Sequence, residues 1–115
     1  MPLEVFSFLV TIRAMIQSFS DEATRKVFEG VALNQKEKKR FGDLRIEKAQ
    51  ERLAVLNQAT EKDLLLLRSL HYHALRGTGR YSIDTNSRTS TWRITFAWAD
   101  EDLSDMQLVK IEDTH

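Results

Sequence analysis

The residues able to do chemistry cluster in the last third of the chain. A basic stretch punctuated by glycine, Leu75-Arg76-Gly77-Thr78-Gly79-Arg80-Tyr81-Ser82-Ile83, leads into Trp92-Arg93-Ile94-Thr95-Phe96, and the sequence closes on Glu112-Asp113-Thr114-His115. Arg93 carries a rigid planar donor fork suited to phosphate. It also suits a cross-strand ion pair with an acid such as Asp84 or Glu112. His71 and His73 flank Tyr72 and would share one strand face, where either could move a proton or touch a phosphate. A metal would need a third ligand, and none is evident nearby. Asp113 and His115 stand two apart, so the carboxylate could orient the imidazole and raise its pKa toward that of a proton donor at neutral pH. A frayed terminus explains that pair equally well.

The elements that must position these groups follow from periodicity. Met15-Ile16-Gln17-Ser18-Phe19 alternates apolar and polar residues and predicts a short first strand. Ser20 suits an N-cap for a helix from about Asp21 to Glu29, closed by Gly30. The dense charge run Lys36-Glu37-Lys38-Lys39-Arg40 is either an exposed helical turn or a linker. Asp43 can cap a longer helix over 44–58, with Ile46, Ala49, Leu53 and Leu56 on one face. Thr60 to Asp63 reads as a short turn. Strands are expected over 71–75, 80–85, 91–98 and 106–111, and alternation sets Trp92, Ile94, Phe96 and Trp98 opposite Arg93, Thr95 and Ala97. Helices followed by an antiparallel meander define an α+β domain, with two N-terminal helices packed on a sheet of four to five strands.

Composition bounds the function without choosing it. The chain has 115 residues, enough for one domain with a modest core. With no cysteine, disulfides and thiolate metal sites are excluded, and a cytoplasmic location fits best. Lysine plus arginine equals aspartate plus glutamate at 17 each, so net charge decides nothing about an RNA partner. Charge position is more telling. From Leu64 to Trp98 the cations are all arginines and the only acid is Asp84, whereas Ala99 onward is acidic. Such a basic region can present a local phosphate-binding patch. The apolar run Val5 to Ile12 is too short to cross a bilayer, which takes about 20 apolar residues, and lacks the basic flank of a signal sequence, so neither membrane insertion nor secretion is expected.

Taken in order, Met15-Ile16-Gln17-Ser18-Phe19, the helix-rich middle, His73-Ala74-Leu75-Arg76-Gly77, Ser82-Ile83, Trp92-Arg93-Ile94-Thr95-Phe96 and Glu112-Asp113-Thr114-His115 resemble the HigB branch of the RelE toxins of bacterial toxin–antitoxin systems. The resemblance spans residues 15–115 and implies a RelE-like α+β fold and a ribosome-dependent mRNA endoribonuclease. It implies His73 and His115 as acid–base candidates and Arg93 and Arg76 as groups holding the scissile phosphate. Arg80 and Thr114 would contact the RNA, and Asp113 would orient a histidine or the attacking 2′-hydroxyl. That reaction leaves a cyclic phosphate and needs neither metal nor other cofactor. The partners implied are the ribosome, mRNA and a HigA-like helix-turn-helix antitoxin, with operator DNA reached only through the antitoxin.

Three departures from the family pattern stand out. Thr114 occupies the place where an aromatic tyrosine commonly stacks on a base, Arg76 stands where lysine is frequent, and the loop before Trp92 is longer. Residues 1–14 precede the usual family start, so Met15 is the expected natural beginning; an added apolar segment packing on the sheet edge or a partner is the other reading. The alternative function is a non-catalytic RelE-fold interaction protein or corepressor acting with the antitoxin.

Overall fold

The computed structural model describes residues 15–114. The expected extension over 1–14 and the candidate His115 lie outside them.

Within that span four helices, rather than two, precede the sheet. The first, α1 (Glu22–Glu29), is capped by Asp21, whose carboxylate accepts the Thr24 amide at 2.8 Å, and ends at Gly30 with φ 72°. Ser20, the expected cap, therefore sits one residue before the actual one, and its hydroxyl donates to the Leu108 carbonyl instead. The charge run becomes a true helix, α2 (Gln35–Phe41), because Asn34 and Glu37 form a reciprocal capping box, each side chain accepting the other's backbone N–H at 2.8 Å. In α3 (Ile46–Leu56) Ala49, Leu53 and Leu56 are buried as their spacing requires. Asp43 does not cap it, since its carboxylate accepts the Trp92 indole N–H at 2.9 Å. The expected turn at Thr60 opens a fourth helix, α4 (Glu61–Leu66), for Asp63 accepts the Thr60 amide at 3.0 Å and Leu64 anchors it in the core.

The sheet is an antiparallel meander in chain order: β1 (His73–Leu75), β2 (Arg80–Asp84), β3 (Trp92–Trp98) and β4 (Met106–Asp113). His71 falls outside β1, because a 3₁₀ turn over Arg68–Leu70 leaves it in the left-handed region at φ 53°. Beyond Ile111, β4 continues through Glu112 and Asp113, which pair with Arg93 and Trp92. The Met15–Phe19 segment is no regular strand. It runs parallel to β4 through bridges at Ile16–Met106 and Phe19–Val109.

Alternation sorts the sheet into two faces. Ile83, Ile94, Phe96, Val109 and Ile111 are fully covered in the core with Val27, Phe41, Leu53, Leu56 and Leu64 of the helices. Between Thr95 and Ala97 the register slips, and the extra β4 residue is Leu108, half exposed with φ 54°. Its N–H donates to the Ser18 hydroxyl, while its carbonyl accepts from Ser20 at 2.9 Å and from the Arg80 guanidinium at 2.6 Å. A leucine in this backbone region is strained, and these three bonds hold it there. Glycine usually destabilises relative to alanine. Here the order reverses: Leu108→Gly is expected to be more stable than Leu108→Ala by about 1 kcal/mol, since only alanine retains the left-handed penalty. Urea midpoints of the two variants measure this, and the ordinary order would remove the strain.

Candidate functional site

Strand pairing puts His73, Ser82, Thr95 and Lys110 in one row across all four strands, on the face turned from the core. Asp84, Arg93 and Glu112 form the neighbouring row on the same face. Ser82, Asp84 and Thr95 are nevertheless buried.

Arg93 lies on that face, as alternation predicts, and its guanidinium is engaged within the protein. Its Nε sits 3.2 Å from Asp84 Oδ1, with the Arg93 side chain 13% and the Asp84 side chain 1% exposed. Nη1 donates to the carbonyls of Ser90 and Trp92, and Nη2 to that of Arg88. Arg88 joins the same Asp84 oxygen at 3.2 Å. The cross-strand pair with Asp84 thus also staples the apolar-free loop over 86–90 to the sheet. Arg80 is engaged as well: Nη2 donates to Thr95 Oγ1 at 3.0 Å and to the Leu108 carbonyl, while the Thr95 hydroxyl donates to the Glu112 carboxylate. Thr95 stands on the Arg93 face as alternation predicts, and of the two acids expected to pair with Arg93 it is Asp84 that does so, while Glu112 takes the Thr95 hydroxyl.

His73 and Arg76 differ from these arginines. His73 is exposed at the start of the edge strand β1, and its Nδ1 lies 2.9 Å from the His71 carbonyl. A carbonyl only accepts, so that bond needs a proton on Nδ1, and in the neutral ring Nε2 is then the acceptor. The His71 and His73 rings lie 5.1 Å apart. Among the described residues no group of three or more His, Cys, Asp or Glu could hold a metal ion. Arg76 follows on an exposed turn, where Gly77 and Gly79 both take φ 75°. The Thr78 hydroxyl firms the turn, donating to the Leu75 carbonyl at 2.6 Å and accepting the Arg80 amide at 2.9 Å.

Asp113 and Thr114 are placed elsewhere. Asp113 pairs with Trp92, a core-face residue, so its side chain leaves β4 on the side opposite His73. Three strand spacings, about 14 Å, also separate the two strands. Asp113 lines a shallow cavity at the outer edge of β4 with Asp21, Arg40, Trp92, Lys110 and Glu112. The Thr114 amide donates to the Thr91 carbonyl at 3.2 Å, which extends the pairing past Asp113. Sequence reading placed Arg40 only within a charge run and gave it no partner. It donates to Asp21 Oδ2 at 3.0 Å and to the Ile111 carbonyl at 2.9 Å. Burial pushes the Asp21 carboxyl up, but the Thr24 hydroxyl and amide and the Arg40 guanidinium outweigh it and hold the group below its ordinary 3.8.

Comparison with family models, with curated proteins and with solved structures gives no match for this chain. The class defined by fold and site is a small α+β domain, with helices on one sheet face and an arginine-bridged polar layer on the other.

Two expectations test these assignments. Arg93→Ala leaves Asp84 buried with only the exposed Arg88 for company and should cost about 3 kcal/mol, most of it recovered by adding Asp84→Asn. Chemical denaturation of the single and double variants measures this coupling, and additive losses would break the pairing. Asp21 has a depressed folded pKa, so its contribution is complete above 3.8 and fades as pH falls below that value. Asn keeps the helix cap, so the stability gap between wild type and Asp21→Asn should be widest above pH 3.8 and close on acidification. A gap that does not change with pH would deny the Arg40 pairing that role.

Proposed function

We propose that this protein is an endoribonuclease of the HigB-like toxin type, cutting mRNA on the ribosome and restrained by a helix-turn-helix antitoxin. The observation that carries the reading is the pose of His73: an exposed imidazole with Nδ1 tied to a carbonyl, so that Nε2 of the neutral ring is an acceptor, three residues before Arg76, exposed on a firm turn. In the proposed step Nε2 takes the proton of the RNA 2′-hydroxyl, and that oxygen bonds to the adjacent phosphorus. The bond to the 5′-oxygen breaks, and a proton from His115 completes the leaving hydroxyl. Arg76 neutralises the charge that builds on the phosphate. The ribosome supplies alignment, which a site of so few groups needs. Arg80 and Arg93 serve by holding the sheet face and its loop rather than by binding RNA directly.

A second reading has its own support. His73 and Asp113 leave opposite sides of the sheet, on strands about 14 Å apart across three spacings, and Asp113 lies three residues along β4 from Lys110, the residue in register with His73. That separation favours a non-catalytic interaction protein acting with the antitoxin, in which Thr114 needs no stacking role.

Mapping mRNA 5′ ends after brief induction separates the readings. New ends inside translated codons, lost in His73→Ala and in His115→Ala while both stay soluble, are expected for the nuclease. Soluble wild-type protein that produces no new ends would reject the nuclease and favour the second reading.

A further inference from the structure

The charge run Lys36–Arg40 has no part in the chemistry above, yet its placement is specific. Helix α2 carries Lys36, Lys38, Lys39 and Arg40 within seven residues, and Arg45 follows. The acids of the same stretch are already used. Glu37 closes the capping box and takes Lys26 at 3.0 Å, and Asp43 holds the Trp92 indole. Arg40 is tied to Asp21 and Ile111. Lys36, Lys38, Lys39 and Arg45 are all exposed, and none has a carboxylate partner among the described residues. In a chain of zero net charge this is a local excess of one sign, built on a capped helix that Arg40 anchors to the edge of β4.

We infer that α2 and Arg45 form a docking surface for the phosphate backbone of RNA, independent of base sequence. The inference deepens the nuclease reading and rests on it only for the identity of the polyanion. One feature favours RNA over an anionic membrane. Phe41, the only aromatic residue of α2, is 1% exposed, so the helix offers no apolar face to insert. Lysines without internal partners can release counterions from a backbone at no cost to the fold.

The test is anisotropy of the full chain with a labelled single-stranded RNA over a series of salt concentrations. Phosphatidylserine vesicles serve as a second probe. Lys36→Glu/Lys38→Glu/Lys39→Glu should keep the wild-type melting temperature. It should weaken binding about 100-fold at 0.1 M salt and flatten the logarithmic salt slope by about 2, at about 0.7 per lost phosphate contact. Lys62→Glu with Arg68→Glu, exposed cations outside α2, should change affinity little. No RNA binding by the wild type, unchanged affinity in the triple variant, an equal loss in the control, or binding to vesicles alone would each overturn the inference. RNA binding that depends on α2 without any new mRNA ends would keep it and reject the nuclease. Cleavage with RNA affinity indifferent to α2 would do the reverse.

Discussion

Strand β4 is hydrogen-bonded along both edges, and the arrangement of the whole domain depends on that. An edge strand with free N–H and C=O groups must have them met by water or by other elements. Here the Met106 amide reaches the Met15 carbonyl, the Gln17 amide the Met106 carbonyl, and Val109 bonds both Ser18 and Ser20. Further along, the Ile111 amide donates to the Thr24 hydroxyl inside α1, and Arg40 of α2 takes the Ile111 carbonyl. The N-terminal segment, α1 and α2 are therefore registered on one strand by directional bonds, while the apolar packing beneath them is not directional. Remove that edge pairing and the helices keep a hydrophobic reason to cover the sheet, but no reason to cover it in this position.

The sheet then divides its polar work unevenly. On the face away from the core, the arginines of β2 and β3 are consumed by acceptors of the protein itself: Arg93 by Asp84, the loop carbonyls of Arg88 and Ser90 and the Trp92 carbonyl of β3, Arg80 by Thr95 and the strained Leu108. Asp84 is almost fully covered, so its charge requires Arg93 far more than Arg93 requires a ligand. Near the edge the Tyr72 hydroxyl donates to Glu61 at 2.6 Å and accepts the Trp98 indole N–H at 3.0 Å. Burial, with the Glu61 bond adding to it, pushes that phenol far above its ordinary value. It serves to lock α4 onto β3.

What the sequence disclosed and what it hid divide along physical lines. The two-faced pattern of Trp92 to Trp98 was legible because a period of two with one buried face has no good alternative register. The buried stripe of α3 was legible for the corresponding reason at helical spacing. Caps were harder. Ser20 and Asp43 are both sound N-cap residues by type, yet one bonds the Leu108 carbonyl and the other the Trp92 indole, partners 88 and 49 residues away. The helix at Gln35 was obscured because its charge run has no apolar stripe of its own, only Phe41 at its end. The role of Arg40 was invisible for a similar reason, since its bonding to Asp21 and Ile111 exists only once β4 has found its edge partners. For the candidate site, the exposed pair His73 and Arg76 was readable from residue type and turn chemistry. The opposite facing of Asp113 depended on β4 continuing two residues past its expected end.

These constraints bear directly on where this domain can meet an anion. Phosphate recognition needs cations whose charge is not already neutralised at short range, for a guanidinium bound to a buried carboxylate offers little residual field. That criterion removes Arg93, the residue whose type and face first drew attention, and Arg80 is already committed to neutral acceptors. Among the exposed cations it leaves are Arg76 on its turn beyond β1 and the lysines of α2 beside β4, two positions at opposite edges of the sheet. RNA engaging both would have to cross the sheet rather than lie along one strand. A flexible single strand bends to such a path more readily than a stiff duplex, and a ribosome could hold it there. Under the proposed function the protein's own contribution reduces to a rigid frame, with β4 fixing one contact and the Thr78 turn fixing the other.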